Sequence, residues 1–319
     1  MPDLHNPSIE GLVELPLRSN VSSRRSAAFA AAPSSTIASI YTRRITKLIP
    51  LSSVDRASLT RDRKKIIIAV AVEPAEGYGC DASGDLWRLL TYDLQHELMD
   101  PSFIIYILTE RLNVKWLGDF KAIVIVDTPI RANIRSVIET AALQCSSGGN
   151  CTLWMACDGM VQESSGNSAM IPADGWKQAL TGEDLKTWAL QMHPSCLLTV
   201  VLEVCYSGNF MNLPYEFATD GKLVSRWSQV AAPKGPRIVC VAACRKNEVA
   251  YLGKWEGMMC GAFTLMLYFL RSDRTHKRQP GVYLKDIESL VAPDLDRWGG
   301  QHPVVAMSHA GQYALLSLS

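Results

Sequence analysis

The sequence predicts an α/β fold built on a central, mostly parallel sheet. Short runs rich in Ile, Val and Cys recur at 63–72, 121–127, 151–157, 196–205 and 237–244. Longer segments with apolar residues at helical spacing lie between them. Strand runs that alternate with helical ones form a parallel sheet covered by helices. At 319 residues with 48% hydrophobic content, the chain can bury the core of one large domain.

Residues 1 to about 62 differ from the rest. From Leu17 to Pro50 there is no acidic residue, while Arg18, Arg24, Arg25, Arg43, Arg44 and Lys47 stand among Ser and Ala. That composition reads as a flexible basic N-terminal extension. Asp3, Glu10 and Glu14 argue against a transit peptide.

The ordered domain begins at Arg63 and runs to 319. "RKKIIIAVAV" reads as a strand buried on both faces. Leu86, Leu89, Leu90, Leu94 and Leu98 then predict a helix. "FIIYIL" (103–108) fits either a strand or a buried helix, and "KAIVIVD" is a clearer strand. Thr128 and Pro129 read as the start of a helix with Ile134, Val137, Ile138 and Ala141 on its apolar face. After the strand "CTLWMAC" a helix near 182–191 opens at Thr181. "CLLTVVLEVC" and "RIVCVAAC" are further strands, the latter followed by an expected buried helix over 257–270. Another helix is expected near 283–291, and "PVVAMS" closes the sheet, giving about six strands.

The formal net charge of +1 provides no strong field for nucleic acid or a membrane surface. Nine cysteines, an odd number with no C-x-x-C pair, predict reduced thiols and a cytoplasmic location. No His beside Cys151 and Cys157, or beside Cys240 and Cys244, completes a zinc pattern.

In open α/β sheets, sites lie beyond the carboxyl ends of the strands. Two strands end in chemically capable residues: Cys205, in "LEVCYSG", and Asp158, in "WMACDG". A buried cysteine is usually a small hydrophobe. At Cys205 the strand-end position, the Ser207-Gly208 turn and the second strand end at Asp158-Gly159 favour a nucleophile on a turn.

These ends resemble those of the metacaspases, the caspase-like cysteine peptidases. Glu203-Val204-Cys205-Tyr206-Ser207-Gly208 is similar to the family's D-[SC]-C-H-S-G, and "NFMNLPYEFATDGKL" to the segment after it. "TPIRANI", "IVCVAACRKNEVAY" and "HPVVAMSHAG" resemble further family segments in the same order. The resemblance runs from about Arg63 to the C-terminus. It implies a caspase-like three-layer α/β/α sandwich, with a large-subunit-like part over about 63–225 and a small-subunit-like part over about 235–319.

By the same resemblance Cys205 is the nucleophile, and the backbone N–H groups of Cys205 and Gly159 form an oxyanion hole. The family's base is a histidine in [YF]-x-[SA]-G-H-G, and Asp158 stands in its place. A carboxylate beside a thiol disfavours the thiolate, whereas an imidazolium favours it. Of the six histidines, His309 matches a position that supplies no base, His193 precedes the nucleophile strand, and His96 falls in the first helix.

Family members cut after Arg or Lys. Glu203 keeps one pocket carboxylate, and Asp85 or Asp81 stands near the other, while Lys246-Asn247 replaces an acidic pair. The family's calcium ligands correspond to Asn167, Glu183, Asp184 and Asn212. Two of these four are amides, which weakens a hard-cation site, and Glu183 and Asp184 also suit a helix start.

Two readings follow from this. One is a silent or strongly impaired peptidase homologue that acts by binding or regulation. The other is an active cysteine endopeptidase that cuts after Arg or Lys. A thiol sensor is a third. The expected partner is a peptide or protein segment, with no nucleic acid and no membrane. No cofactor is required, calcium is doubtful, and the resemblance implies a monomer.

Overall fold

The computed structural model describes residues 48–50, 63–72, 103–109, 123–162, 165–217, 222–227, 234–255, 258–264, 267 and 301–310. Among them a ten-stranded sheet organises the fold. Its strands are β1 (Leu48–Pro50), β2 (Arg63–Ala71), β3 (Phe103–Thr109), β4 (Ile123–Asp127), β5 (Cys145–Ala156), β9 (Leu197–Glu203), β10 (Tyr215–Phe217), β11 (Leu223–Ser225), β12 (Arg237–Ala242) and β15 (Val304–Met307). They lie in the order β1-β4-β3-β2-β5-β9-β12-β15-β10-β11. Every pairing from β1 to β12 is parallel, and the last three are antiparallel.

The α/β fold with a mostly parallel sheet is therefore present, but the sheet is larger than six strands. The extra strands β1, β10 and β11 are three residues each and carry no apolar run that a sequence pattern would detect. β1 lies within the stretch whose composition reads as a basic extension. Nor does β15 close the sheet, because it is inserted antiparallel between β12 and β10.

The ambiguous run at 103–108 is a strand. β3 pairs in parallel with β2 on one side and β4 on the other, and Ile104–Thr109 are all buried. A segment paired along both edges and covered on both faces satisfies its backbone and buries every side chain. Ile66, Ile68, Val70, Ile104, Tyr106 and Leu108 face one core cluster. Ile67, Ala69, Ile105 and Ile107, which alternate with them, are buried as well, so both faces of the sheet are covered.

Helix α1 (Arg131–Gln144) packs on β2, β3 and β5, burying Ile134, Val137, Ile138 and Ala141 at the expected spacing. It starts two residues later than Pro129, and Thr128 does not cap it. Instead Asp174 Oδ1 accepts from Arg131 N at 3.0 Å. The Tyr106 hydroxyl donates to Gln144 Oε1 at 2.7 Å, so this buried phenol is hydrogen-bonded at the helix end.

Helix α2 (Gly182–Ala189) starts as expected at Thr181. The Thr181 side chain and Asp184 form a reciprocal capping box. α2 packs on α1, and its Leu185, Trp188 and Ala189 are buried.

The expected helix over 257–270 is corrected at its start. β13 (Leu252–Trp255) and β14 (Met258–Gly261) form an antiparallel hairpin, and helical backbone begins only at Ala262. Apolar periodicity cannot separate a short hairpin strand from a buried helix; the hairpin's ladder decides the matter here. Leu86–Leu98, Asp81, Asp85 and the expected helix near 283–291 lie outside the described residues. Among the described residues no helix is long and apolar enough to cross a membrane.

Candidate functional site

The order of strands reverses beside β2: the chain lays down β3 and β4 on one side, then β5, β9 and β12 on the other. Crevices form beyond the carboxyl ends at such a reversal. The ends of β5 and β9 lie there, side by side, with Ala156 opposite Glu203. Asp158 and Cys205 each follow two residues later, so the two positions proposed from sequence are brought together.

Cys205 sits on a sharp turn. Tyr206 adopts φ 60° and ψ 21°, a left-handed conformation that a bulky L-residue rarely takes. The turn is held from both sides. Tyr206 N donates to Glu248 O at 2.8 Å, and Ser168 Oγ donates to Tyr206 O. A short 3-10 turn (Ser207–Asn209) follows, with Ser207 and Gly208 buried.

Asp158 is exposed at the rim, just before β6 (Gly159–Val161). β6, β7 (Ser168–Met170) and β8 (Leu180–Thr181) make a small second sheet. Ile171 N donates to Asp158 O and Gln162 N to Asn167 O, so the β6–β7 ladder alternates in a way that turns the Gly159 N–H away from β7. Gly159 lies hard against the Cys205 turn: a Cβ built on it would stand 2.1 Å from Cys205 O.

Cys205 is half-buried. Ala250 N donates to its Sγ at 3.4 Å, and Ala250 O lies 3.9 Å from the same sulfur. Burial pushes the thiol up, the Ala250 N–H pulls it back in part, and the Asp158 and Glu203 carboxylates push it up again. The Asp158 side chain reaches solvent at the rim, yet the protein packed around its carboxyl desolvates it in part and raises it. Cys244, which donates to Glu248 O at 3.2 Å, is pushed up to about 11 by burial. No imidazole shapes the electrostatics of Cys205 among the described residues.

The other histidines are placed as follows. His193 is exposed before the start of β9, at the far end of the sheet, with Nδ1 2.6 Å from Ser195 Oγ. His309 follows β15 and bonds Ser308 Oγ at 2.6 Å. His5, His96 and His276 lie outside the described residues. His302 is the one that sequence reasoning passed over. It precedes β15, and because β15 runs antiparallel to β12, its start reaches the carboxyl end of the parallel strands. There His302 Nδ1 lies 2.8 Å from Glu248 Oε1.

Glu203 does not line an open pocket. It is 7% exposed, and its Oε2 accepts from Thr264 N at 2.6 Å and Thr264 Oγ1 at 2.9 Å. Its Oε1 has no hydrogen-bond partner among the described residues. Gly261 covers the carboxyl so closely that a Cβ there would stand 2.2 Å from its carbon. Burial raises this carboxyl to about 7, against the opposing pull of Thr264.

Two of the residues matched to calcium ligands, Glu183 and Asp184, have partners at the start of α2 and on α1. Asp184 Oδ1 bonds Arg131 Nη2 at 2.7 Å and its Oδ2 accepts from Thr181 N at 2.9 Å. Although burial pushes the other way, these bonds hold the Asp184 carboxyl below its ordinary value. Glu183 pairs with Lys186. Among the described residues no three His, Cys, Asp or Glu groups could hold a metal ion together.

No protein-family model matches the sequence, and no curated protein matches it. Among solved structures, protein GSU0716 from Geobacter sulfurreducens is similar with a TM-score of 0.52 at 14% identity, covering 78% of this chain and 94% of that one. The likeness is one of fold. The Drosophila initiator caspase Dronc gives a TM-score of 0.47 at 9% identity, covering 80% of this chain and 85% of that one.

Proposed function

We propose that this chain is a metacaspase-like cysteine-peptidase homologue that keeps the nucleophile position and lacks the proton shuttle. It acts by binding a peptide or protein segment, as a regulator or scaffold, rather than by turnover. The observation that carries this reading is the setting of Cys205. Its sulfur meets a backbone amide and feels two carboxylates, all within a partly buried turn. Attack on a carbonyl requires a thiolate, and departure of the amine requires a proton donor. A carboxylate at Asp158 opposes the first and is a poor source of the second near neutral pH. Loss of one member of such a pair costs several orders of magnitude in rate. The burial of Glu203 supports the same reading, because it withdraws the carboxylate that a basic substrate residue would meet. In this reading the protein is a cytoplasmic monomer without a required cofactor.

The alternative is a working endopeptidase that cleaves after Arg or Lys, and the close approach of Gly159 to Cys205 favours it, since an oxyanion hole needs no special side chain. Arg and Lys reporter peptides separate the two. The purified full chain should leave them intact with or without calcium. Turnover that disappears in Cys205→Ala overturns the silent reading.

A further inference from the structure

The loop 245–250 reaches the sulfur of Cys205 and is tied down by one side chain that does not itself touch the sulfur. Glu248 Oε2 accepts from Arg245 N at 3.0 Å and from His302 N at 2.9 Å. Its Oε1 accepts from His302 Nδ1 at 2.8 Å. The backbone oxygen of the same residue accepts from Tyr206 N at 2.8 Å, next to the nucleophile position. Beside this knot the buried Gln301 accepts from Tyr251 N at 2.9 Å and donates to Ala243 O at 3.0 Å. Between the two anchors, at Glu248 and Tyr251, sits Ala250, whose N–H points at Cys205 Sγ.

We infer that Glu248 is a positioning residue for Cys205: clamped by His302, it fixes the loop that holds the Ala250 N–H on the sulfur. An N–H aimed at a sulfur favours the thiolate over the thiol. At this site it is the main opposition to burial and to the Asp158 and Glu203 carboxylates. The other titratable groups that interact electrostatically with Cys205 among the described residues are Cys157, Cys244 and Tyr251, and Arg245 stands at the head of the loop. Glu248 thus acts through geometry and not through its charge, since a nearby anion by itself would work against a thiolate.

This deepens the reading of Cys205 as the nucleophile position, and its test does not use peptide cleavage, so either conclusion can fail alone. The measurement is the rate of iodoacetamide alkylation at Cys205, followed by peptide mass in the full chain, across about pH 6 to 10. Glu248→Ala should raise the apparent thiol pKa by about one unit and slow alkylation near neutral pH about tenfold. Glu248→Gln, whose amide oxygen still accepts from Arg245 N and His302 N, should stay within about twofold of wild type. Gln301→Leu, which releases Tyr251 N, should shift the profile in the same direction as Glu248→Ala. It also carries the test if Glu248→Ala fails to fold. An unchanged profile in Glu248→Ala overturns the proposal, as does an unchanged profile in Gln301→Leu where Glu248→Ala does not fold. Equal shifts in Glu248→Ala and Glu248→Gln also overturn it, because they assign the effect to charge.

Discussion

Gly159 and Cys205 are in backbone contact across the ends of β5 and β9: a Cβ on Gly159 would stand 2.1 Å from Cys205 O and 2.7 Å from Val204 Cγ1. The obstruction is mostly backbone, so a side chain cannot be accommodated by a rotamer change. Gly159→Ala must therefore part the two strand ends. We expect a stability loss of about 1–3 kcal/mol, typical of overpacking. Urea denaturation checks this, and a loss within ~0.5 kcal/mol, the range of ordinary surface changes, counts against the contact.

Asp158→His replaces a group that disfavours the Cys205 thiolate with one that favours it when protonated. Alkylation of Cys205 near neutral pH should rise by about tenfold or more, with a smaller rise in Asp158→Asn, where only the charge is removed. If the histidine variant is no faster than the asparagine variant, Asp158 does not stand where an imidazole can serve the sulfur.

Glu203 makes stability depend on pH. Its carboxyl has a value of about 7 in the folded chain against an ordinary 4.5, so the folded state holds the proton more tightly. Protonation therefore favours folding. The contribution is complete below the unfolded value and is lost as pH rises through the folded one, a span worth about 3 kcal/mol. In Glu203→Gln that loss is absent. Comparing wild type with the variant by denaturation near pH 4.5 and near pH 8 should show the variant gaining by about that amount at the higher pH. An equal difference at both values means the carboxyl titrates as an ordinary one.

Thr181 and Asp184 hold the start of α2 through a capping box, and Asp184 also binds Arg131. Thr181→Ala should cost about 1 kcal/mol. Asp184→Ala should lower the melting temperature by the same amount with and without millimolar calcium. A calcium-dependent stabilisation present in wild type and lost in Asp184→Ala would show that these carboxylates bind the cation after all.

The parts of this molecule that could be read from its sequence are those set by local pattern. β2, β5, β9 and β12 announce themselves as apolar runs because they are buried on both faces. The start of α2 is legible because the box at Thr181 closes within four residues. The start of α1 is not, because its partner Asp174 arrives from 43 residues away. Strand β14 was read as helix because an apolar run carries no mark of its partner. At the site, Cys205 and Asp158 were legible as the ends of adjacent parallel strands. Glu248 and His302 were not: Glu248 lies in the irregular loop after β12, and only the antiparallel insertion of β15 brings His302 to it.

That insertion also dictates an order of events during synthesis. When a nascent chain has just completed β12, that strand has an unpaired edge and the β10–β11 hairpin has no sheet to dock on. Both wait for Val304–Met307, so the sheet is finished by a strand sliding into a gap and not by growth at its rim. Pairings of this separation close late and leave strand edges open to other chains meanwhile. The tie from His302 to the loop over Cys205 arrives with the same strand. The thiol therefore acquires its final surroundings only once nearly all of the described chain has left the ribosome.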